Sequence, residues 1–141
     1  MPEKSWADIH WQPIESVSLI RSMVDGLLDE TEKQYANLES CRSKPHVLDD
    51  YTVARVIKVY TDQAGDLRLY EEQLCRWKKL ELDRVQRREV ERLAAEVPTI
   101  RKRIKAILAL AKELKKGTIE TVLSKSDFDL GLEILLGIRK P

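Results

Sequence analysis

The side chains best able to do chemistry in this chain are two cysteines, two histidines and many carboxylates, and their spacing gathers none of them into a reactive group. Cys41 and Cys75 are far apart, in no CxxC arrangement and with no His at ligand spacing, so both read as small, reduced core residues. His10 and His46 fall in expected loops, where nothing nearby completes a zinc site or a nucleophile and base pair. Asp127, Asp129 and Gly131 begin like a calcium loop. Such a loop needs an oxygen ligand at its fifth position and glycine at its sixth, and Gly131 and Leu132 stand there instead. Asp127, Phe128 and Asp129 lack the glycine that follows directly in a kinase metal motif. With no paired acid and base in a recognisable constellation, the expectation is a non-enzyme without metal, cofactor or small-molecule substrate.

Charge offers a second kind of chemistry. Residues 1–50 hold 5 basic and 10 acidic side chains, whereas residues 84–116 hold 11 and 4. Arg84, Arg87, Arg88, Arg92, Arg101, Lys102, Arg103 and Lys105 could bind a polyanion by releasing phosphate counterions. On a helix they scatter around the cylinder, and no aromatic lies between Trp77 and Phe128 to stack a base. The favoured expectation is that this basic helix packs beside the acidic first helix, with nucleic-acid association as the alternative.

The elements that position these side chains are helices. From Asp50 to Val97 the sequence has no proline and one glycine, Gly65. Val90, Leu93, Val97, Ile100, Ile104, Ile107, Ala111 and Leu114 alternate steps of three and four, a spacing that only a helix turns into one apolar seam. A first helix is expected from Pro13 to about Ser43, with Val17, Ile20, Val24, Leu27, Thr31, Gln34 or Tyr35, Leu38 and Cys41 on its seam and Pro45 beyond its end. Asp49 or Asp50 caps a second, whose seam of Val53, Ile57, Tyr60, Ala64 and Leu67 then meets Glu71 and Lys78. That phase slip marks either a stutter in one rod or a turn near Leu82. Asp83 with Gln86 has capping-box spacing and favours the turn, which leaves three helices of about 46 to 48 Å at 1.5 Å per residue. Pro98 is read as a kink at an outward position of the third helix, and Gly117 as its glycine cap.

The expected fold is therefore all-α: an arm (1–12), an antiparallel long-helix bundle or coiled coil of three helices (13–116), and a C-terminal segment (117–141) with two short helices, Ile119 to Ser124 and Asp127 to Leu136. Charged residues at 35% and aromatics at 6% suit long helices, while 43% apolar content is too high for a disordered chain. No run approaches the ~18 to 20 apolar residues that cross a bilayer, and Met1, Pro2, Glu3 and Lys4 lack the apolar core of a signal peptide, so the expected address is cytoplasmic. Gly65, Asp66 and Leu67 in a helical hairpin look like the acidic tip of the transcript-cleavage factors that enter the RNA polymerase secondary channel. The following Glu of that family is Leu69 here and the likeness covers three residues, so no role is carried over.

Exposed anchors for a partner are the remaining candidates. Trp77 is expected in the core with its indole N–H on a carbonyl, whereas Trp6 and Trp11 either clamp the arm to the bundle or form a binding hot spot. Phe128, Leu132, Leu135 and Leu136 lie in the most apolar stretch and suit a plug for one bundle end or a self-association element. The sequence reading is a helical protein-protein interaction or assembly subunit, self-associating or bound to another protein.

Overall fold

The computed structural model describes residues 8–118, which build three long helices: α1 (Val17–Ser40), α2 (Asp50–Lys78) and α3 (Arg84–Lys115). Short 3-10 turns at Ile14–Ser16 and Pro45–Val47 precede α1 and α2. The two short helices expected after Gly117 lie outside the described residues.

Every member of the third-helix seam is buried, none more than 3% exposed. Fully burying an aliphatic side chain is worth about 1.5 to 3 kcal/mol, so this seam is the main source of cohesion. Nine residues are buried on α3, against four on α1 and six on α2, which identifies α3 as the helix the other two share. It packs against both, while α1 and α2 approach each other far less closely.

The order of side-chain partners follows from that layout. Between α1 and α3 the numbers rise together: Arg21 with Glu89 at 3.7 Å, Asp25 with Arg92 at 3.2 Å, Arg42 with Glu113 at 3.3 Å. Between α1 and α2 they run in opposite senses, with Met23 accepting from the Tyr70 hydroxyl at 3.8 Å and Glu30 from Tyr60 at 3.4 Å. Glu71 of α2 pairs with Arg101 of α3, and Asp50 at the start of α2 accepts from Thr118 just past the end of α3.

Local chemistry sets the ends. Lys79 to Asp83 form the turn that the phase slip left open, and α3 begins in a complete capping box: the Gln86 amide N–H donates to the Asp83 carboxylate at 2.7 Å and the Gln86 side chain accepts from the Asp83 N–H at 3.1 Å. Asp49 caps α2 by accepting from the Thr52 N–H at 2.7 Å, and hydrogen bonding from the Thr52 side chain and then this N–H holds its carboxyl below the usual carboxylate range. The first helix is shorter than its seam suggests. Pro13 precedes a 3-10 turn instead of opening the α-helix, and the chain leaves helical pairing after Ser40, whose hydroxyl donates to the Asn37 carbonyl at 2.6 Å. Gly117 differs too. Its backbone is not left-handed; glycine is needed because a Cβ there would sit 2.6 Å from Cγ of Pro45.

The phase slip costs the core nothing. Val53, Tyr60, Leu67 and Leu74 recur every seventh residue and stay buried, so only the flanking position drifts, from Ile57 and Ala64 to an ion-paired Glu71. Thr31 is tolerated inside because its hydroxyl donates to the Leu27 carbonyl at 2.7 Å. Pro98 is exposed, so its missing N–H and its ring disturb no packing. Cys41 packs half-buried against the core, but Cys75 is exposed and is no core residue, because it lies one position past the buried Leu74.

Burial of Tyr60, reinforced by the charge of Glu30, pushes its phenol up to about 12. Because the folded value lies above the unfolded one, the neutral phenol stabilises the fold fully below about pH 10 and that contribution disappears as pH rises towards 12. Melting temperature should therefore fall across this window, and Tyr60→Phe should fall less over it. Parallel slopes for the two proteins in alkaline thermal melts would show that Tyr60 is not responsible.

Candidate functional site

The basic residues of α3 do not form one free surface. Arg92 is enclosed by carboxylates, bonding Glu96 at 2.7 Å, Glu89 at 2.9 Å and Asp25 at 3.2 Å, and its charge lowers the pKa of Asp25. Arg101 grips Glu71 of α2 with both of its terminal nitrogens and lowers that carboxyl. Arg103 donates to the Leu28 carbonyl of α1 at 2.8 Å. Arg84, Arg87, Arg88, Lys102 and Lys105 are exposed or nearly so, in two groups. From Arg88 to Lys102 is about 21 Å along the helix at 1.5 Å per residue, with Glu91, Ala95 and Pro98 between. The expected match of basic third helix to acidic first helix is only partial. Arg101 turns to α2, and Arg21 of α1 and Arg42 just past its end reverse the polarity by pairing with Glu89 and Glu113 of α3.

The arm ahead of α1 is built onto the C-terminal end of α2. The Gln12 N–H donates to Oε1 of Gln73 at 2.7 Å, and its carbonyl accepts from Nε1 of Trp77 at 2.9 Å and from Nε2 of Gln73 at 3.3 Å. Gln73 and Trp77 are 5% and 1% exposed, so a buried amide and a buried indole have all these polar atoms met by the main chain of one residue. Arg76, held by Glu72 at 3.2 Å, lies over the Trp11 ring with its guanidinium carbon 4.4 Å from the centroid. Trp77 thus takes the core position expected of it, and Trp11 lies against Arg76 of α2. Gln12, Gln73 and Arg76 were not singled out from sequence. The available signal was a polar residue at 73 one turn ahead of Trp77, on the side that also carries Arg76.

A third feature follows from the wide separation of α1 and α2. Leu19, Met23 and Val59 are exposed, at 56%, 43% and 38%. A cleft of about 390 Å3 is lined by Met23, Gly26, Glu30, Gln63, Asp66 and Tyr70, among others. Oε1 of Gln63 is buried with no hydrogen-bond partner among the described residues. A Cβ added at Gly26 or Gly65 would meet nothing within 4 Å, so neither glycine is required by packing among the described residues.

Trp6, Phe128, Leu132, Leu135 and Leu136 lie outside the described residues. Among the described residues no group of three or more His, Cys, Asp or Glu could hold a metal ion, and no helix is long and apolar enough to cross a membrane. No protein-family model, curated protein or solved structure matches this chain.

Proposed function

We propose that this chain is a non-enzymatic, cytoplasmic assembly protein, an antiparallel three-helix coiled coil that self-associates through the side of the bundle between α1 and α2. The observation that carries this reading is the exposed Met23 at an open cleft between α1 and α2, with Leu19 and Val59 also exposed on these two helices. Each helix-interior glycine costs about 0.5 to 1 kcal/mol relative to alanine. Gly26 and Gly65 incur that cost without any close approach among the described residues, which is understandable if another backbone approaches there. A second copy also offers partners for the orphaned Gln63 carbonyl oxygen. Phe128, Leu132, Leu135 and Leu136 are the further apolar residues the sequence provides for the same association. Nucleic-acid binding through α3 is the weaker reading, since Arg92, Arg101 and Arg103 are engaged within the chain.

Light scattering after size-exclusion chromatography tests the proposal. The wild type should run at a multiple of one chain's mass, and Met23→Glu should return it to a single chain with its melt and helical circular dichroism unchanged, because an unpaired charge is costly only where water is excluded. A wild type that stays at one chain's mass at all concentrations, or an unchanged assembly for Met23→Glu, would refute it.

A further inference from the structure

Gln73 and Trp77 hold Gln12 by its main chain alone. Its N–H and carbonyl meet the two ends of one buried amide, at 2.7 and 3.3 Å, and the same carbonyl takes the indole proton at 2.9 Å. Side-chain recognition is added one residue earlier, where Arg76 covers Trp11. Pro13 follows in extended geometry, φ −70 and ψ 161. The element recognised is thus a short segment with an aromatic residue directly before one whose N–H and C=O are both available. Gln73, Arg76 and Trp77, which make these contacts, all belong to α2 and none to α1, which carries the arm. The receptor is complete without the covalent connection to its occupant.

The geometry points to a peptide-binding site at the C-terminal end of α2, filled here in cis by residues 9–13 and able to take the same residues of a second copy in trans. The second copy is the occupant because its arm reproduces every contact just described, and exchange of an identical segment between copies sacrifices none of them. At low concentration the cis arm wins, since a short connection gives it an effective concentration of order millimolar. Exchange becomes prominent when the cis arm is weakened.

The test uses the full chain and a fluorescently labelled peptide spanning Asp8 to Ser16, followed by anisotropy. Trp11→Ala weakens the resident arm and leaves the receptor whole, so this variant should bind the peptide about two- to fivefold more tightly than wild type does, the cis competitor being impaired. Adding Gln73→Ala to Trp11→Ala should abolish that binding. Adding Arg76→Ala, an exposed change that leaves the core untouched, should weaken it severalfold, as should replacing Trp in the peptide by Ala. No saturable binding up to millimolar peptide, equal binding by a scrambled peptide of the same composition, or binding insensitive to both Gln73→Ala and Arg76→Ala would each overturn the assignment. Self-association through the α1 and α2 side is read by Met23→Glu and does not affect this outcome.

Discussion

Ile104→Asp should abolish cooperative thermal unfolding. Ile104 is 1% exposed, in the middle of the α3 seam. A carboxylate placed there loses its hydration, finds no partner by design and displaces a close-packed aliphatic group, a combination that costs several kcal/mol. Domains of this size are stable by only ~5 to 15 kcal/mol, so one such change removes much or all of the margin. Lys105→Asp, one residue further and exposed, is the matched control. It should shift the melt by no more than a few degrees, since isolated surface charges contribute within about 0.5 kcal/mol. A sigmoidal melt for Ile104→Asp near the wild-type midpoint would refute the burial register of α3.

That register was legible because it depends on local periodicity. The eight seam residues of α3, the capping box of Asp83 and Gln86 and the Asp49 cap all involve residues within four positions of one another, and helix physics acts at that range. The helix opens at Arg84, directly after the Asp83 cap that the spacing with Gln86 predicts. What stayed hidden depends on residues far apart. Glu71 at a seam position looked like a defect until Arg101, thirty residues on, was seen to neutralise it. Gly117 looked like a cap because glycine commonly is one, whereas its role is room for Pro45 across the molecule. The arm site joins Gln12 to Gln73 over a separation of 61, and nothing in the periodicity of either segment announces it. The unequal spacing of the helices likewise arises from one helix seam having to serve two partners.

Trp77 joins the core to the arm, so substitutions there should report on both. Trp77→Ala leaves a large cavity beside α3 and should cost about 3 to 5 kcal/mol in chemical denaturation. Trp77→Phe keeps most of the packing but removes the indole donor; since Gln73 still donates to the Gln12 carbonyl, that acceptor is not orphaned and the loss should stay near 1 to 2 kcal/mol. Trp11→Ala removes the stack with Arg76 and should cost about 0.5 to 1 kcal/mol. The two smaller changes act on one peptide segment. Once either has loosened the arm, the other removes an interaction already partly lost, so Trp11→Ala combined with Trp77→Phe should cost less than the sum of the singles. Contacts that share a segment couple by about 0.5 kcal/mol or more, whereas independent sites add to within ~0.3 to 0.5 kcal/mol. Strict additivity in this cycle would mean that Trp77 serves the core alone and that the arm is held without it.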